Sequence, residues 1–330
     1  MLGAGVRSKT FALAPLFASV LWGGMYVVSK WGFGSIPPVT LAALRVVVGA
    51  ATLLAVVAVA YPNRTFSRRD WLGFGILGAW VAVTLVTQFV GTDRTTASEG
   101  ALVTVLTPVA TFALGVAVLD ERVTRRKTGG MALALAGTAI VLLGRYDVDA
   151  LATSSGLGVT MLMLASVGWA AYTVYGKRLV REYSALETAT YSSLLATPVL
   201  VVAAGVELAV TDVSLAAIPV TLGTVGAVLY LGVAATAVAW YCWYKAIEYV
   251  DAGTVAVYFF AQPVVGAALG AAFLDETLGA AFVAGGCVMA VGIYAVSTAD
   301  AADTADAVET DANADADANS DTEPVTAPED

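Results

Sequence analysis

Nine side chains in this sequence carry a ring, a hydroxyl or an amide well inside apolar runs: Trp22, Tyr26, Gln88, Thr104, Trp169, Tyr172, Trp240, Tyr258 and Gln262. Rings stack, amides donate and accept, and indole N–H groups donate only. Such a set binds amphipathic small molecules; it does not break bonds in them. An amide at membrane depth needs a partner, which is either a neighbouring helix or a bound solute. A tryptophan there is either a packing or interfacial residue or part of a binding wall. Pro108 and Pro263 stand among these residues. Each removes a backbone donor and frees a carbonyl one turn earlier, either as a plain structural kink or as a bend that opens a cavity wall.

The chemistry that is missing narrows the class. The chain has no histidine, no phosphate-binding G-x-x-x-x-G-K-[ST] sequence and no aspartate-rich diphosphate motif. Its two cysteines, Cys242 and Cys287, lie in apolar runs without metal-ligand spacing and read as small packing residues. No catalytic residue, metal or cofactor is expected. Arg45 is the one cation inside an apolar run; it either snorkels to the interface or meets an anionic group of a substrate. The deepest acids, Glu99 and Glu207, lie near helix ends, which favours a uniporter over a proton-driven carrier.

The elements that must position these groups are membrane helices. Of 330 residues 58% are hydrophobic and 13% charged, with a mean hydropathy of +0.79. Apolar runs of about 20 residues span a bilayer as helices, because backbone groups in lipid must bond internally. Ten candidates follow: 11–29, 39–60, 71–91, 97–119, 128–144, 157–176, 186–209, 219–244, 252–274 and 278–298. Arg7 and Lys9 precede the first run, but Trp22 and Tyr26 within it and the lack of a cleavage site argue against a signal peptide. The net charge of −9 belongs to the stretch 300–330, which holds 11 acidic and no basic residues; the remainder carries 17 basic against 15 acidic. That stretch lacks aromatics and reads as a disordered solvating tail, and such acidity suggests a salt-loving host.

The chain repeats itself. Residues 108–121 match 263–276 at 9 of 14 places, pairing Pro108 with Pro263, Gly115 with Gly270 and Asp120-Glu121 with Asp275-Glu276. Beyond them Gly130 meets Gly285 and Gly137 meets Gly292; a second register pairs Ser19 and Trp22 with Ser166 and Trp169. Two five-helix halves are implied, 1–150 and 151–299, with 300–330 as a tail. Five is odd, so the second half enters the membrane inverted. The loops agree: Arg122, Arg125, Arg126 and Lys127 follow the first acidic pair, whereas Thr277-Leu278-Gly279 follows the second. With the N-terminus inside, inner loops hold 13 Lys and Arg and outer loops 3, so both termini are expected in the cytoplasm. The acidic pairs read as helix caps and loop locks, with Glu121 placed to pair with Arg125 on the same helix face.

With Trp22-Gly23, Trp169, Arg45 and the two copies of proline, small-residue helix and acidic pair, the chain resembles the drug/metabolite transporter superfamily, and within it the ten-helix EamA-like permeases. The resemblance covers residues 11–298. It implies a plasma-membrane exporter or permease for amino acids, related metabolites or drugs, with small-molecule substrate and lipid as partners and no nucleic acid. The expectation is an all-α integral membrane protein of ten helices in two inverted repeats. It would carry neutral or zwitterionic metabolites by alternating access, the alternative being a membrane-embedded enzyme or a scaffold. Gly266-x-x-x-Gly270 serves packing within a bundle as well as between chains and leaves oligomeric state open.

Overall fold

The computed structural model of the chain describes residues 13–61, 64–95, 106–121, 123–145, 156–274, 279–281, 283–296 and 298. Thr104, Glu99, Arg122, Asp275, Glu276 and the acidic stretch 300–330 lie outside them. Every regular element among the described residues is helical: α1 Ala14–Phe33, α2 Pro38–Ala60, α3 Arg68–Arg94, α4 Leu106–Leu119, α5 Arg125–Arg145, α6 Gly156–Glu182 and α7 Ala185–Thr211. Then come α8 Leu222–Ile247 and α10 Val283–Val296. Between them α9 runs in three pieces, Ala252–Val257, a tight 3-10 turn Tyr258–Phe260, and Ala261–Leu274. The helices α2, α3, α6, α7 and α8 are each long and apolar enough to cross a membrane. Large apolar side chains such as Val59, Val202, Val210 and Leu222 stay on the outside, as suits a surface that faces lipid.

The helix ends obey ordinary capping chemistry. Pro15 and Pro38 open α1 and α2 at positions whose N–H would be unpaired anyway. The Ser67 hydroxyl accepts from the Asp70 amide while the Asp70 carboxylate accepts from the Ser67 amide, a reciprocal cap for α3. The Ser184 hydroxyl does the same for α7 by accepting from the Glu187 amide. Glu207 caps another helix than its own: from α7 it accepts from the Val39 and Thr40 amides of α2 at 2.9 and 2.6 Å. Its place near a helix end is therefore structural.

These contacts sort the connections into two ends of the bundle. At one end Glu207 meets α2, and the Lys30 ammonium donates to the carbonyls of Asp93 and Thr95. At the other, Arg64 pairs with Glu187, and Glu121, Lys127, Lys177 and Asp251 converge. Helix-to-helix packing is mostly between the two halves of the chain. The main contacts of α1 are with α8 and α9, of α2 with α7 and α8, and of α3 with α6 and α7, while α4 packs on α6 and α9. Exchanging each helix for the one five places along maps this pattern onto itself: α1–α9 becomes α6–α4, α1–α8 becomes α6–α3, and α2–α8 becomes α7–α3.

The helices α5 and α10 cross on glycine. A Cβ on Gly130 would overlap the Gly292 carbonyl and Val296, and one on Gly137 would overlap the Gly285 carbonyl and Met289. The glycines paired by the sequence repeat thus face each other crosswise, 130 against 292 and 137 against 285. Met131, Ala134, Met289 and Val296 close the contact over Val257 and Phe260 of α9. Gly137→Ala forces the two backbones apart and is expected to lower the thermal midpoint in detergent, with a loss of about 1–3 kcal/mol for overpacking. Gly226→Ala on α8, where an added Cβ meets nothing within 4 Å, is expected to leave the midpoint unchanged or raise it.

Candidate functional site

Where α1, α2, α3, α4, α6, α8 and α9 meet they line a cavity of about 30 Å³, room for one or two waters. Trp22, Gln88, Trp169, Trp240 and Gln262, all anticipated from the sequence, line it, as do Arg45, Met25, Thr84, Ser166 and Phe259. Four aromatic rings stand in the wall. Trp22 and Trp169, the pair related by the repeat, meet edge to face with centroids 5.1 Å apart. Phe259 stacks on Trp22 at 5.2 Å, and Trp240 lies 5.6 Å from Trp169. Contacts of this geometry add to the energy of burial and fix the rings in place.

Not every expected residue reaches the cavity. Tyr26 sits one layer back, where its hydroxyl receives a hydrogen bond of 3.3 Å from the Gln88 amide. Tyr172 is a packing residue behind the wall: its ring lies 5.0 Å from Trp169 and 5.6 Å from Trp240, and its hydroxyl is 3.3 Å from the Ser192 hydroxyl. Tyr258 is buried in the 3-10 turn of α9 and does not line the cavity. That turn has a cause. Pro263 has no N–H for the Phe259 carbonyl, so the helix tightens just before it, and Phe259 is the residue delivered to the cavity. Pro108 is buried at the beginning of the described part of α4, next to Thr107, which also lines the cavity.

Arg45 does not snorkel. It is 2% exposed and its guanidinium turns inward, where Nε donates to the Thr236 hydroxyl at 2.7 Å, Nη2 to the Ala235 carbonyl at 3.0 Å and Nη1 to the Met25 sulfur at 2.8 Å. The Phe89 ring lies 5.8 Å from its central carbon. A local irregularity in α8 makes this possible. Tyr230–Val238 winds as a π-helix, so the Ala239 amide reaches back to the Ala234 carbonyl and not to that of Ala235, which accepts from side chains. Trp22 uses the same oxygen, donating from Nε1 at 2.8 Å. No feature of the sequence marks Tyr230–Val238 as π-helical, and for that reason Arg45 could be placed at the cavity only as one of two alternatives.

Below the cavity the repeated acidic motif closes one end. Asp120 ends α4 with a positive φ of 53°, a conformation that aspartate tolerates. The turn throws Glu121 back over Gly115, where an added Cβ would lie 2.6 Å from the carboxylate. Glu121 accepts from Lys177 at 2.7 Å and from the Ala252 and Gly253 amides at 2.8 and 3.1 Å, so it caps α9. Lys177 also donates to Asp251 at 2.9 Å, and Lys127 donates to the other Asp251 oxygen at 3.0 Å. Glu121 is thus a cap and lock as its position suggested, but it reaches across the halves and does not pair with Arg125.

The EamA-like transporter family matches this chain twice, over residues 9–143 and 156–298. The chain belongs to that family. It is a membrane transporter and not an enzyme. An uncharacterized transporter of Archaeoglobus fulgidus is 26% identical over 292 residues, 88% of this chain and 97% of its own. A probable amino-acid metabolite efflux pump of Salmonella typhimurium is 26% identical over 299 residues, covering 87% and 94%. The pump of the same description in Escherichia coli is 25% identical over 296 residues. A protein of known crystal structure shares the fold, with a TM-score of 0.69 at 19% identity over 88% of this chain and 97% of its own.

For an EamA-like transporter the ion cluster is the feature most open to test. Burial alone would raise the Asp251 carboxyl, but the hydrogen bonds and charges of Lys177 and Lys127 outweigh it and hold the group below the usual carboxylate range. Its contribution to stability is therefore full above about pH 4, the ordinary carboxylate value, and disappears as pH falls through the lower value of the folded protein. The thermal midpoint should be flat in this respect from pH 5 to 8 and drop only in more acid solution. Lys177→Met leaves Glu121 and Asp251 without their shared cation and is expected to cost about 3 kcal/mol at neutral pH, measured as a fall in the midpoint.

Proposed function

We propose that this EamA-like transporter is an exporter or permease of small neutral or zwitterionic amphipathic metabolites, amino acids among them. The observation that carries this reading is the central cavity itself, walled by aromatic and amide side chains contributed by helices of both halves. Its single charge among the described residues, Arg45, does not suit sugar phosphates or nucleotide sugars, which call for several cations. Two relatives described as probable amino-acid metabolite efflux pumps support the same substrate class.

Transport proceeds by alternating access between two inverted five-helix repeats, 1–150 and 151–299, in a bundle of ten membrane-spanning helices. Three observations support this: the family matches twice, the helix contacts map onto themselves under exchange of the halves, and repeat-related glycines cross one another. The binding site lies near the midplane, between the halves. Ligand pockets for small molecules generally measure about 300 Å³ or more, so a cavity of about 30 Å³ must widen before substrate enters. The cluster of Glu121, Lys127, Lys177 and Asp251 is the inner gate, since the surplus of Lys and Arg assigns that end and both termini to the cytoplasm of a plasma-membrane protein.

The test is solute flux in proteoliposomes, with a panel of L-amino acids scored first by thermal stabilisation of the purified protein. An outward or inward gradient of a stabilising amino acid should drive its flux, and Trp22→Ala or Gln262→Ala should abolish both the stabilisation and at least nine-tenths of the flux. Absence of flux for every solute that binds would favour a scaffold. Because no carboxylate lines the cavity among the described residues, a pH gradient alone should drive no accumulation; accumulation would overturn the uniport mechanism.

A further inference from the structure

The cavity has an electrostatic asymmetry. Its polar atoms without a partner include the indole N–H groups of Trp169 and Trp240, the Gln262 amide nitrogen and the Thr84 hydroxyl. All belong to residues at least nine-tenths buried: Trp169 is 7% exposed, Trp240 1%, Gln262 3% and Thr84 3%. Folded proteins leave very few such groups unpaired, and three of these four offer only a hydrogen to give. Arg45 adds a full positive charge. Of its five N–H groups one on each nitrogen is used, which leaves one on Nη1 and one on Nη2. The partners it does have, a hydroxyl, a carbonyl and a thioether, are neutral, and no carboxylate among the described residues pairs with it.

A guanidinium held in low dielectric without a counter-charge is costly, and water in the cavity can satisfy N–H groups but cannot neutralise it. An ion that brings one negative charge and several lone pairs does both. We infer that the cavity is a receptor for a single carboxylate, bound by the free N–H groups of Arg45 together with Trp169, Trp240 and Gln262, with the aromatic wall taking the apolar remainder of the molecule. This rests on the transport reading above and sharpens its substrate class to amphipathic monocarboxylates, zwitterionic amino acids included. Two terminal N–H groups on adjacent nitrogens suit the paired oxygens of a carboxylate. One cation does not suit a dianion. With no acid among the described residues of the lining, a lipophilic cation would meet there only the like charge of Arg45.

The experiment compares matched solutes that differ at the carboxyl group. L-leucine, L-phenylalanine and L-threonine are each tested beside the N-acetyl derivative, which keeps the carboxylate, and the carboxamide, which loses it. Tetraphenylphosphonium serves as the cationic probe. Readouts are the thermal midpoint and uptake into proteoliposomes at fixed pH. The free acids and N-acetyl acids should stabilise and be carried, while carboxamides and tetraphenylphosphonium should bind at least about tenfold more weakly, the size expected for a charge-assisted pair. Arg45→Gln should erase the difference between acid and amide, and Arg45→Lys should restore part of it. If Arg45→Gln does not fold, Trp240→Phe, which keeps a ring and removes one donor, should weaken acids several-fold while leaving amides unchanged. Equal binding of acids and carboxamides, acid binding unaltered in both variants, or no stabilisation by any acid overturns the receptor. Acid-selective stabilisation without uptake of any solute supports the receptor and overturns the transport reading instead.

Discussion

A single backbone oxygen organises the centre of this protein. The Ala235 carbonyl accepts from Trp22 on α1 and Arg45 on α2, and so joins three helices at a buried point beside the cavity. In a regular helix that oxygen would be committed to the amide four residues on. The π-helical stretch Tyr230–Val238 frees it, and the Thr236 hydroxyl, itself donating to the Leu231 carbonyl, receives the third helix-to-helix bond from Arg45. In a low-dielectric interior such bonds are strong and their absence is expensive. The position of the only charge among the described residues of the cavity, and of the first tryptophan in its wall, therefore follows from one irregular turn.

The ends of the bundle are governed by the same economy of polar groups. Glycine at 115, left-handed backbone at Asp120 and a carboxylate at 121 form one device: the glycine leaves space, the aspartate turns the chain, and the glutamate fills the space while capping α9. Lys177 then satisfies the glutamate and binds Asp251, whose second oxygen takes Lys127. Removing any member exposes another, so the cluster behaves as a unit. At the opposite end Glu207 plays the corresponding part for α2 with backbone amides and a hydroxyl.

Much of this was legible in the sequence because hydropathy and repetition are additive signals. The helices fall where the apolar runs are, and Trp22 and Trp169, paired by a repeat of 147 residues, do meet face to edge. The repeated proline was informative too: Pro263 brings about the tight turn that presents Phe259. What escaped is what depends on rotation about a helix axis. Tyr172 is three residues from Trp169 and on nearly the same face, yet it packs one layer behind. Glu121 has a basic residue four positions on, but its turn leaves the helix and the geometry of that pairing vanishes. Arg45 has an apolar sequence neighbourhood, and nothing near it foretells that Thr236 and Ala235 stand 190 residues away to receive it.

The crossing of α5 and α10 has a mechanical meaning. Helices that interlock through large side chains resist relative displacement, since each side chain must climb out of its hole before the next is reached. Here much of the contact is backbone on backbone, Gly130 to the Gly292 carbonyl and Gly137 to the Gly285 carbonyl, with the Val296 side chain packed on Gly130. Such a surface holds the two halves at close range and still offers little friction to a small slide or pivot. The glycines that the repeat preserved thus make a bearing, a close contact between the halves with little side-chain interlock to resist shear.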